Sequence, residues 1–326
     1  MNEITLVEAV NLALASELAA DPRVVVLGED VGVNGGVFRA TAGLLERFGK
    51  DRVIDTPLAE SLIAGMSVGL AAQGFRPVAE IQFMGFIYSA IDQLLSHASR
   101  LRNRTRGRLT CPLVLRTPFG GGIHAPEHHS ESTEALLAHV PGLRVVVPSS
   151  PARAYGLLLA AIRDPDPVVF LEPTRLYRLG KEGVRDSGEA LPLDTCFVLR
   201  DGGDITLVTW GAAVRETLAV ADALVNEGIG AEVIDVATLA PLDMPTILES
   251  VGKTGRCVIV HEAARNVGVG AEIAARLADE GLLTLHAPVK RVTGYDTVMP
   301  LGKLEQEYLP QTGRIEAAVR ELLEAA

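Results

Sequence analysis

Cysteine and aromatic residues are scarce in this chain of 326 residues. The three cysteines, Cys111, Cys196 and Cys257, are far apart and form no CxxC pair. This pattern excludes a disulfide framework and a zinc ribbon, and it favours a reducing compartment. Phenylalanine, tyrosine and tryptophan together make up 4% of the residues, so a local group of them is informative.

Long apolar runs are also missing, and so is a basic leader. No stretch of about 18 uninterrupted apolar residues occurs, and the opening MNEITLVEAV has no basic segment followed by an apolar run. We therefore predict a cytoplasmic protein without a membrane partner. The 30 basic residues are outnumbered by 41 acidic ones, which argues against nucleic acid as a partner. A small anionic substrate stays open, because a local pocket can be basic.

Length and hydrophobic periodicity predict two α/β domains. The chain is longer than the size at which one hydrophobic core usually keeps growing. Strand patterns that are apolar on both faces alternate with helical patterns, which suits a parallel sheet covered by helices. The predicted helices of the first half lie at residues 3–20 and 90–101, and its strands at 24–27, 78–83, 113–116 and 144–148.

A polar, glycine-containing stretch from Tyr177 to Asp194 interrupts this alternation. The pattern then resumes with ITLVTW, AEVIDV and RCVIVHE, and helices are predicted at 212–226 and 270–280. We therefore place one domain at residues 1–185 and a smaller open α/β domain at 186–326.

The segment DTPLAES could carry chemistry at the start of a helix. Pro57 suits the first helical position and Thr56 the N-cap, so Glu60 would lie in or just after the first turn. A carboxylate there can simply favour the helix dipole. Alternatively, loss of water would favour the protonated carboxyl, which could then share a proton. The side chains expected to enclose it are Leu58, Ile63 and Met66.

A second segment, RTPFGGGIHAPEHHSES, joins a run of glycines to several histidines. Glycines 120–122 permit close backbone approach, but they match neither GxGxxG nor the P-loop spacing, so nucleotide binding is weakly supported. His124, Glu127, His128 and His129 could imitate a metal cluster, although they lack the HExxH spacing. A histidine that transfers protons fits better, since its ordinary titration lies near neutral pH.

Aromatic residues gather in EIQFMGFIYSAIDQ, which contains Phe83, Phe86 and Tyr88. Aromatics with this spacing commonly build core. At the end of a strand they could equally form the wall of a site for a flat heteroaromatic ring.

Several long segments occur in a characteristic order: GEDVGVNGGVFRAT, DTPLAES, EIQFMGF, GGGIHAPEHHSES, PGLRVVVPSSP, AIRDPDPVVFLEPTRLY and KTGRCVIVHEA. In this order, over nearly the whole chain from Glu3 to Pro310, they resemble the beta subunit of the decarboxylating component of 2-oxo acid dehydrogenase complexes. The amino-acid sequences of the first and fourth segments are closer to those of bacterial pyruvate dehydrogenase subunits than to those of branched-chain subunits.

The resemblance implies a transketolase-like α/β fold, with a thiamine-diphosphate pyrimidine-binding domain and a smaller C-terminal domain. It also implies an α2β2 heterotetramer that decarboxylates a 2-oxo acid, pyruvate or a branched-chain acid. The acyl group then passes to lipoyl on the acyltransferase core. The carboxyl that matches Glu60 bonds the aminopyrimidine N1′ atom and exchanges a proton with it. The other residues expected to bind this ring are Leu58, Gln82, Phe86 and Tyr88.

The histidine that matches His129 would lie at the mouth of this site and assist proton transfer during acyl transfer, with His128 as its less suited neighbour. The family commonly has glutamine two residues later, whereas Glu131 stands here. That added carboxylate would favour the protonated imidazole.

The resemblance also implies bound metal ions. Some relatives hold a potassium ion through backbone oxygens at positions that match Leu113, Ala161, Ile162, Asp164 and Asp166. Thiamine enzymes that bind the diphosphate themselves carry a GDG run and paired asparagines for magnesium, and both are absent here. The diphosphate and its Mg²⁺ are therefore expected on the alpha subunit.

Two alternative functions stay open. The pyrimidine-binding half of a split transketolase or deoxyxylulose-phosphate synthase would need basic residues for a sugar phosphate, and Arg116 is available. A noncatalytic α/β scaffold subunit would need none of the site residues.

Overall fold

The computed structural model describes residues 2–325 and divides the chain into two compact units. The first unit extends up to Phe119 and includes Leu136–Leu193; the second comprises Gly120–Ala135 and the chain from Asp194 onward. The glycine and histidine segment is thus grouped with the second unit, although it precedes the predicted domain boundary by more than fifty residues.

The first unit alternates helices and strands. Irregular helical turns, of 3-10 type at Met84–Ser89 and Ala98–Arg100 and of π type at Gln93–His97, follow its fourth strand. Its regular elements, with α5 beginning in the second unit, are β1 (Asn2–Ile4), α1 (Leu6–Ala20), β2 (Val24–Gly28), α2 (Leu44–Phe48), β3 (Val53–Asp55), α3 (Glu60–Ala72), β4 (Arg76–Glu80), α4 (Leu101–Arg104), β5 (Val114–Phe119), α5 (Glu134–Ala138), β6 (Arg144–Val146), α6 (Pro151–Arg163), β7 (Val168–Pro173) and β8 (Glu182–Val184).

The main sheet of the first unit is parallel, in the order β6-β7-β5-β4-β2-β3. Strands β2, β4, β5 and β7 are buried along their length apart from one half-buried terminal residue, because helices cover both faces of the sheet. A separate antiparallel pair joins β1 to β8. The predicted parallel α/β architecture is confirmed.

The second unit contains a smaller sheet, in the order β14-β13-β10-β11-β9. Its strands run parallel except for β9. Apolar residues of β10, β11 and β13 form its core with α7 and α11. The elements are β9 (Phe197–Arg200), β10 (Ile205–Thr209), α7 (Ala213–Val225), β11 (Ala231–Asp235), β12 (Thr238–Ala240), α8 (Met244–Thr254), β13 (Cys257–Val260), α9 (Val269–Glu280), β14 (Lys290–Val292), α10 (Glu305–Tyr308) and α11 (Thr312–Glu324).

Two predicted elements of the first unit differ from the structure. Strand β4 ends at Glu80, so Gln82 and Phe83 lie beyond it and not inside it as predicted. The helix predicted at 90–101 is broken into π, 3-10 and short α turns. In this segment the Ser99 hydroxyl donates to the carbonyl of Leu95 at 2.9 Å, a local bond of the kind that bends helices.

Candidate active site

The carboxyl ends of β2, β3 and β4 lie side by side in the first unit. Gly28 is in register with Asp55 on one side and with Glu80 on the other. The segments that follow these three strands therefore start from one edge of the sheet, where open α/β sheets usually bind their ligands. Those segments begin with Glu29, Thr56 and Ile81.

The helix that carries Glu60 begins later than predicted. Thr56 is not its N-cap, because the Thr56 N–H donates to Gly28 O at 3.0 Å and extends the strand pairing by one residue. The Thr56 hydroxyl donates to Pro57 O at 3.0 Å and so does not cap the helix. Helix α3 starts at Glu60, after an Ala59 N-cap that provides no side-chain hydrogen bond. The Glu60 carboxylate is consequently at the first helical position, beside free N–H groups and the positive end of the dipole.

The Glu60 carboxylate is half-buried and has defined neighbours. Ser89 donates its hydroxyl to Glu60 Oε2 at 3.4 Å, and Ser61 donates to the carbonyl of Ser89. These contacts join the start of α3 to the 3-10 helix that bears the aromatic residues. The neighbouring Glu29 is affected electrostatically: burial, and then the charges of Asp30 and Glu60, raise the pKa of its carboxyl.

Sequence reasoning missed Glu29 as a site residue. It follows β2 directly, and its negatively charged neighbour Glu60 follows β3 along the same edge. The available signal was the position of the GED motif immediately after a buried strand, since the carboxyl ends of parallel strands converge.

The predicted ring-binding residues share this edge. Phe86 is half-buried and packs edge-on against Phe83, with ring centroids 5.9 Å apart. Gln82 is half-buried, and Tyr88 is 40% exposed. Leu58 is 70% exposed, and its enclosure of Glu60 together with Ile63 and Met66 stays a prediction. Ile63 is buried in the core of the unit.

Arg116 belongs to a buried ionic network and not to a surface site. Its side chain is 1% exposed, and its guanidinium donates to both oxygens of Glu172, at 2.7 and 2.8 Å, and to Glu80. Burial raises the pKa of Glu80 against the opposing effect of Arg116. The Tyr177 hydroxyl also donates to Glu172. Arg116 is therefore engaged inside the sheet and is not accessible to a sugar phosphate.

The carbonyls predicted to hold potassium have other partners in this chain. The Arg76 guanidinium donates to Ile162 O at 2.8 Å and to Asp164 O at 3.2 Å. Leu113 O accepts from the Val168 N–H at 2.9 Å. A cationic guanidinium on two of these oxygens does not fit a potassium ion bound there, so this ion stays a prediction from the resemblance. Ala161 O accepts from the Asp164 N–H at 3.3 Å, and Asp166 accepts from the Arg102 side chain through its carboxylate and not through its carbonyl.

The predicted histidines lie in the second unit, in the segment Gly120–Ala135, which we call the histidine loop. His128 and His129 belong to a single 3-10 turn, with ring centroids 6.3 Å apart. His128 is exposed and His129 half-buried. In residues 2–325 no group of three or more histidine, cysteine, aspartate or glutamate side chains is arranged to hold a metal ion.

A cavity of about 350 Å³ adjoins the histidine loop within the second unit. Its wall combines three carboxylates with hydroxyl-bearing and apolar side chains, and Tyr308 is its aromatic member. Burial, followed by nearby carboxylates, raises the pKa of Tyr308 to about 12, so its hydroxyl keeps its proton at neutral pH. The lining residues are Glu127, Ser130, Glu131, Ser132, Thr133, Ala264, Asp296, Thr297, Val298, Met299 and Tyr308.

Comparison with known proteins accounts for both units. Residues 2–180 match the family model of the transketolase pyrimidine binding domain, and residues 194–315 match that of the transketolase C-terminal domain. The pyruvate dehydrogenase E1 component subunit beta of Bacillus subtilis is 49% identical over 99% of this chain and 100% of its own length. The chain belongs to this E1 beta family. The proteins of the same name from Staphylococcus epidermidis and Acholeplasma laidlawii are each 48% identical over 99% of this chain, covering 100% and 98% of their own lengths.

The predicted E1 beta resemblance is therefore confirmed, and the pyruvate type is favoured over the branched-chain type. A solved structure described as split gene transketolase, inactive beta4 tetramer, matches 99% of both chains with a TM-score of 0.81 and 25% identity. The E1 beta chain thus has a transketolase-like α/β fold. None of the helices described between residues 2 and 325 has the length and apolar character needed to cross a membrane.

Proposed function

We propose that this chain is the beta subunit of a thiamine-diphosphate-dependent pyruvate dehydrogenase. With an alpha subunit it would decarboxylate pyruvate and pass the acetyl group to lipoyl on the acyltransferase core. The observation that carries the proposal is the position of Glu60, a half-buried carboxylate at the first residue of α3, on the carboxyl edge of the parallel sheet. Its membership of the E1 beta family supports the same assignment.

The residues around Glu60 fit the aminopyrimidine ring of the cofactor. Leu58 and Tyr88 leave apolar surface open beside the carboxylate, 70% and 40% exposed respectively. A flat ring placed there would cover these side chains, and a partner chain could close the rest of the pocket. When bound, thiamine diphosphate supplies the electron sink for the loss of carbon dioxide.

The residues of this chain hold the ring and move one proton. Glu60 would bond a ring nitrogen and exchange a proton with it. Burial, and then the charges of Asp30 and Glu60, raise the pKa of the Glu29 carboxyl, so Glu29 would hold a proton more readily than an ordinary glutamate. Phe86 and Tyr88 would pack against the ring, and Gln82 would bond its edge.

His129 would assist proton transfer when the acetyl group moves to lipoyl. It is half-buried, so the surrounding loop restrains its ring, whereas the exposed His128 is less restrained. His129 is far from Glu60 in the sequence and lies in a different loop. This separation suits a role in a separate step of the reaction.

An alpha subunit would complete the site and hold the diphosphate with Mg²⁺. Support comes from the absence of GDG and paired asparagines in this chain. The structural neighbour is described as an inactive tetramer of beta chains, which fits a beta chain that needs a partner. We accordingly propose an α2β2 heterotetramer that docks on the lipoyl-bearing core.

The rival function of a split-transketolase half has less support. Its sugar phosphate substrate would need an accessible basic residue, and Arg116 is buried among carboxylates. The identity to the split transketolase is 25%, against 49% to the pyruvate dehydrogenase subunit.

We also propose a domain boundary and a cellular location. The boundary between residues 185 and 186 is supported by the family matches, which end at 180 and resume at 194. A cytoplasmic location is supported by Cys111, Cys196 and Cys257, which are buried free thiols in the described chain.

Substitution of Glu60 tests the proposed function. In the complex with the alpha subunit, Glu60→Gln should reduce pyruvate decarboxylation about a hundredfold or more, because the amide cannot exchange the proton. The rate is measured with an artificial electron acceptor, which removes any need for the acyltransferase. Glu46→Gln, an exposed glutamate of α2, is the matched control and should leave the rate unchanged. Near-normal turnover of Glu60→Gln would remove this residue from the mechanism.

A further inference from the structure

Two buried carboxylates of the second unit lie directly beneath the histidine loop. Glu262 follows β13 and is 7% exposed, and Glu305 begins α10 and is 1% exposed. A carboxylate withdrawn from water needs hydrogen-bond donors in compensation. The histidine loop supplies such donors to both carboxylates.

Glu305 binds the first part of the loop. Its carboxylate accepts from the Gly122 N–H at 2.7 Å and from the His124 N–H at 3.1 Å. His124 Nδ1 lies 2.8 Å from Glu305 Oε2. The backbone of His124 is in the left-handed region, with φ of 57°. Residues other than glycine rarely adopt this conformation.

Glu262 binds both ends of the loop. Its Oε1 atom accepts from the Gly121 N–H and from the Ser132 hydroxyl, each at 2.8 Å. The two ends of the loop are also joined directly, because the Gly120 N–H donates to Glu131 O at 2.8 Å. His128 and His129 thus occupy a stretch that is tied down on both sides.

The glycines allow this close approach. A Cβ atom on Gly120 would lie 2.6 Å from Glu262 Oε1, and one on Gly121 would lie 2.5 Å from the Met299 side chain. A larger residue at position 120 would clash with the Glu262 carboxylate. The glycine run thus serves contact with protein carboxylates, which explains why it matches no phosphate-binding spacing.

We propose that Glu262 and Glu305 are positioning residues that hold the histidine loop, and with it His129, in one conformation. Neither carboxylate needs to touch substrate, because each acts through loop N–H and O–H donors. The inference rests on the proposed function of His129 for its catalytic consequence, whereas the restraint on the loop is independent of that function.

Hydrogen exchange measures the restraint directly. In the complex with the alpha subunit, Glu305→Ala should speed amide exchange at Gly122 and His124 at least tenfold. Ser132→Ala removes one contact to Glu262 with little risk to folding, and it should speed exchange at Gly121. The exposed Glu307 on the same helix supplies the matched control, and Glu307→Ala should leave loop exchange and activity unchanged.

Activity shows whether the restraint serves catalysis. Glu305→Ala should lower kcat for acetyl transfer to a free lipoyl domain about as much as His129→Ala does. Glu305→Gln, which keeps an acceptor oxygen, should recover much of the loss. A folded Glu305→Ala and a folded Ser132→Ala with native loop exchange would overturn the proposal. Faster exchange in these variants, together with normal acetyl transfer in His129→Ala, would support the restraint and refute the proposed role of His129.

Discussion

The guanidinium of Arg116 lies between two buried carboxylates, those of Glu80 and Glu172. Each charge loses its water inside the sheet, and the contacts between the charges compensate for much of that loss, with a further hydrogen bond from the Tyr177 hydroxyl to Glu172. Removal of the arginine would leave two uncompensated carboxylates, whereas joint removal of all three charges would leave none.

We expect Arg116→Met to lower the free energy of unfolding by about 3–5 kcal/mol, as for other broken buried ion pairs. Urea unfolding of the variant measures this change. The triple variant Glu80→Gln, Arg116→Met, Glu172→Gln should be less destabilised than the single one. The exposed Arg185→Met should stay within about 0.5 kcal/mol of the native chain. A native-like Arg116→Met would show that the network contributes little.

Glu134 gives the second unit a defined pH dependence. Burial raises the pKa of its carboxyl from 4.5 to about 8, and Trp210 donates to one of its oxygens at 3.3 Å. The folded chain therefore binds a proton that the unfolded chain releases between these values. Stability from this group is fully present below about pH 4.5 and is lost as the pH rises through 8.

Glu134→Gln should remove this dependence, since the amide does not titrate and still offers an oxygen to Trp210. At about 1.4 kcal/mol for each tenfold change in proton affinity, the variant should gain a few kcal/mol over the native chain by pH 8. Melting temperatures of both proteins between pH 5 and 8 measure the difference. The exposed Glu189→Gln should follow the native curve, and parallel curves for Glu134→Gln would contradict the prediction.

At the scale of elements, side-chain caps decide where helix α1 begins. Thr5 accepts from the Glu8 N–H, and the Glu8 carboxylate accepts from the Thr5 N–H at 2.7 Å, which completes a capping box. The hydrogen bonds to Thr5 also lower the pKa of Glu8. This box ends the short strand β1 and sets the first residue of the helix at Leu6, three residues after the predicted start.

Thr5→Ala should lower the free energy of unfolding by about 1 kcal/mol, because the Glu8 N–H loses the hydroxyl oxygen that accepts its hydrogen bond. Thermal or urea unfolding is a sufficient measurement. Thr312 starts α11 but is exposed and makes no capping bond, so Thr312→Ala is the control. Equal stability of the two variants would assign the start of α1 to packing alone.

At the scale of the whole molecule, each unit contributes separate parts of the proposed chemistry. Glu60 and the ring-binding residues belong to the first unit, and the histidine loop belongs to the second. The diphosphate-binding motif is missing from both. Under the proposed function, the chain would therefore offer one end of a cofactor site, and a different polypeptide would hold the charged end.

The purified chain alone should consequently show no saturable binding of thiamine diphosphate with Mg²⁺ in calorimetry. Addition of the alpha subunit should restore binding, because the charged diphosphate carries most of the electrostatic affinity. Tight magnesium-dependent binding by the lone chain would contradict a divided site.

Much of this fold was determined locally by the sequence. Apolar runs such as ITLVTW and AEVIDV are too hydrophobic for any place except the centre of a sheet, so their strands were predicted to within one residue. The segment DTPLAES likewise placed Glu60 near a helix start.

Tertiary structure alone decided the partners that come from distant parts of the chain. Thr56 pairs with Gly28 and does not cap the helix as predicted. Arg116 pairs with Glu80 and Glu172 inside the sheet, and the Gly121 N–H donates to a carboxylate 141 positions away. Periodicity reports the local environment of a residue, whereas these hydrogen bonds depend on which strand ends and loops the folded chain brings together.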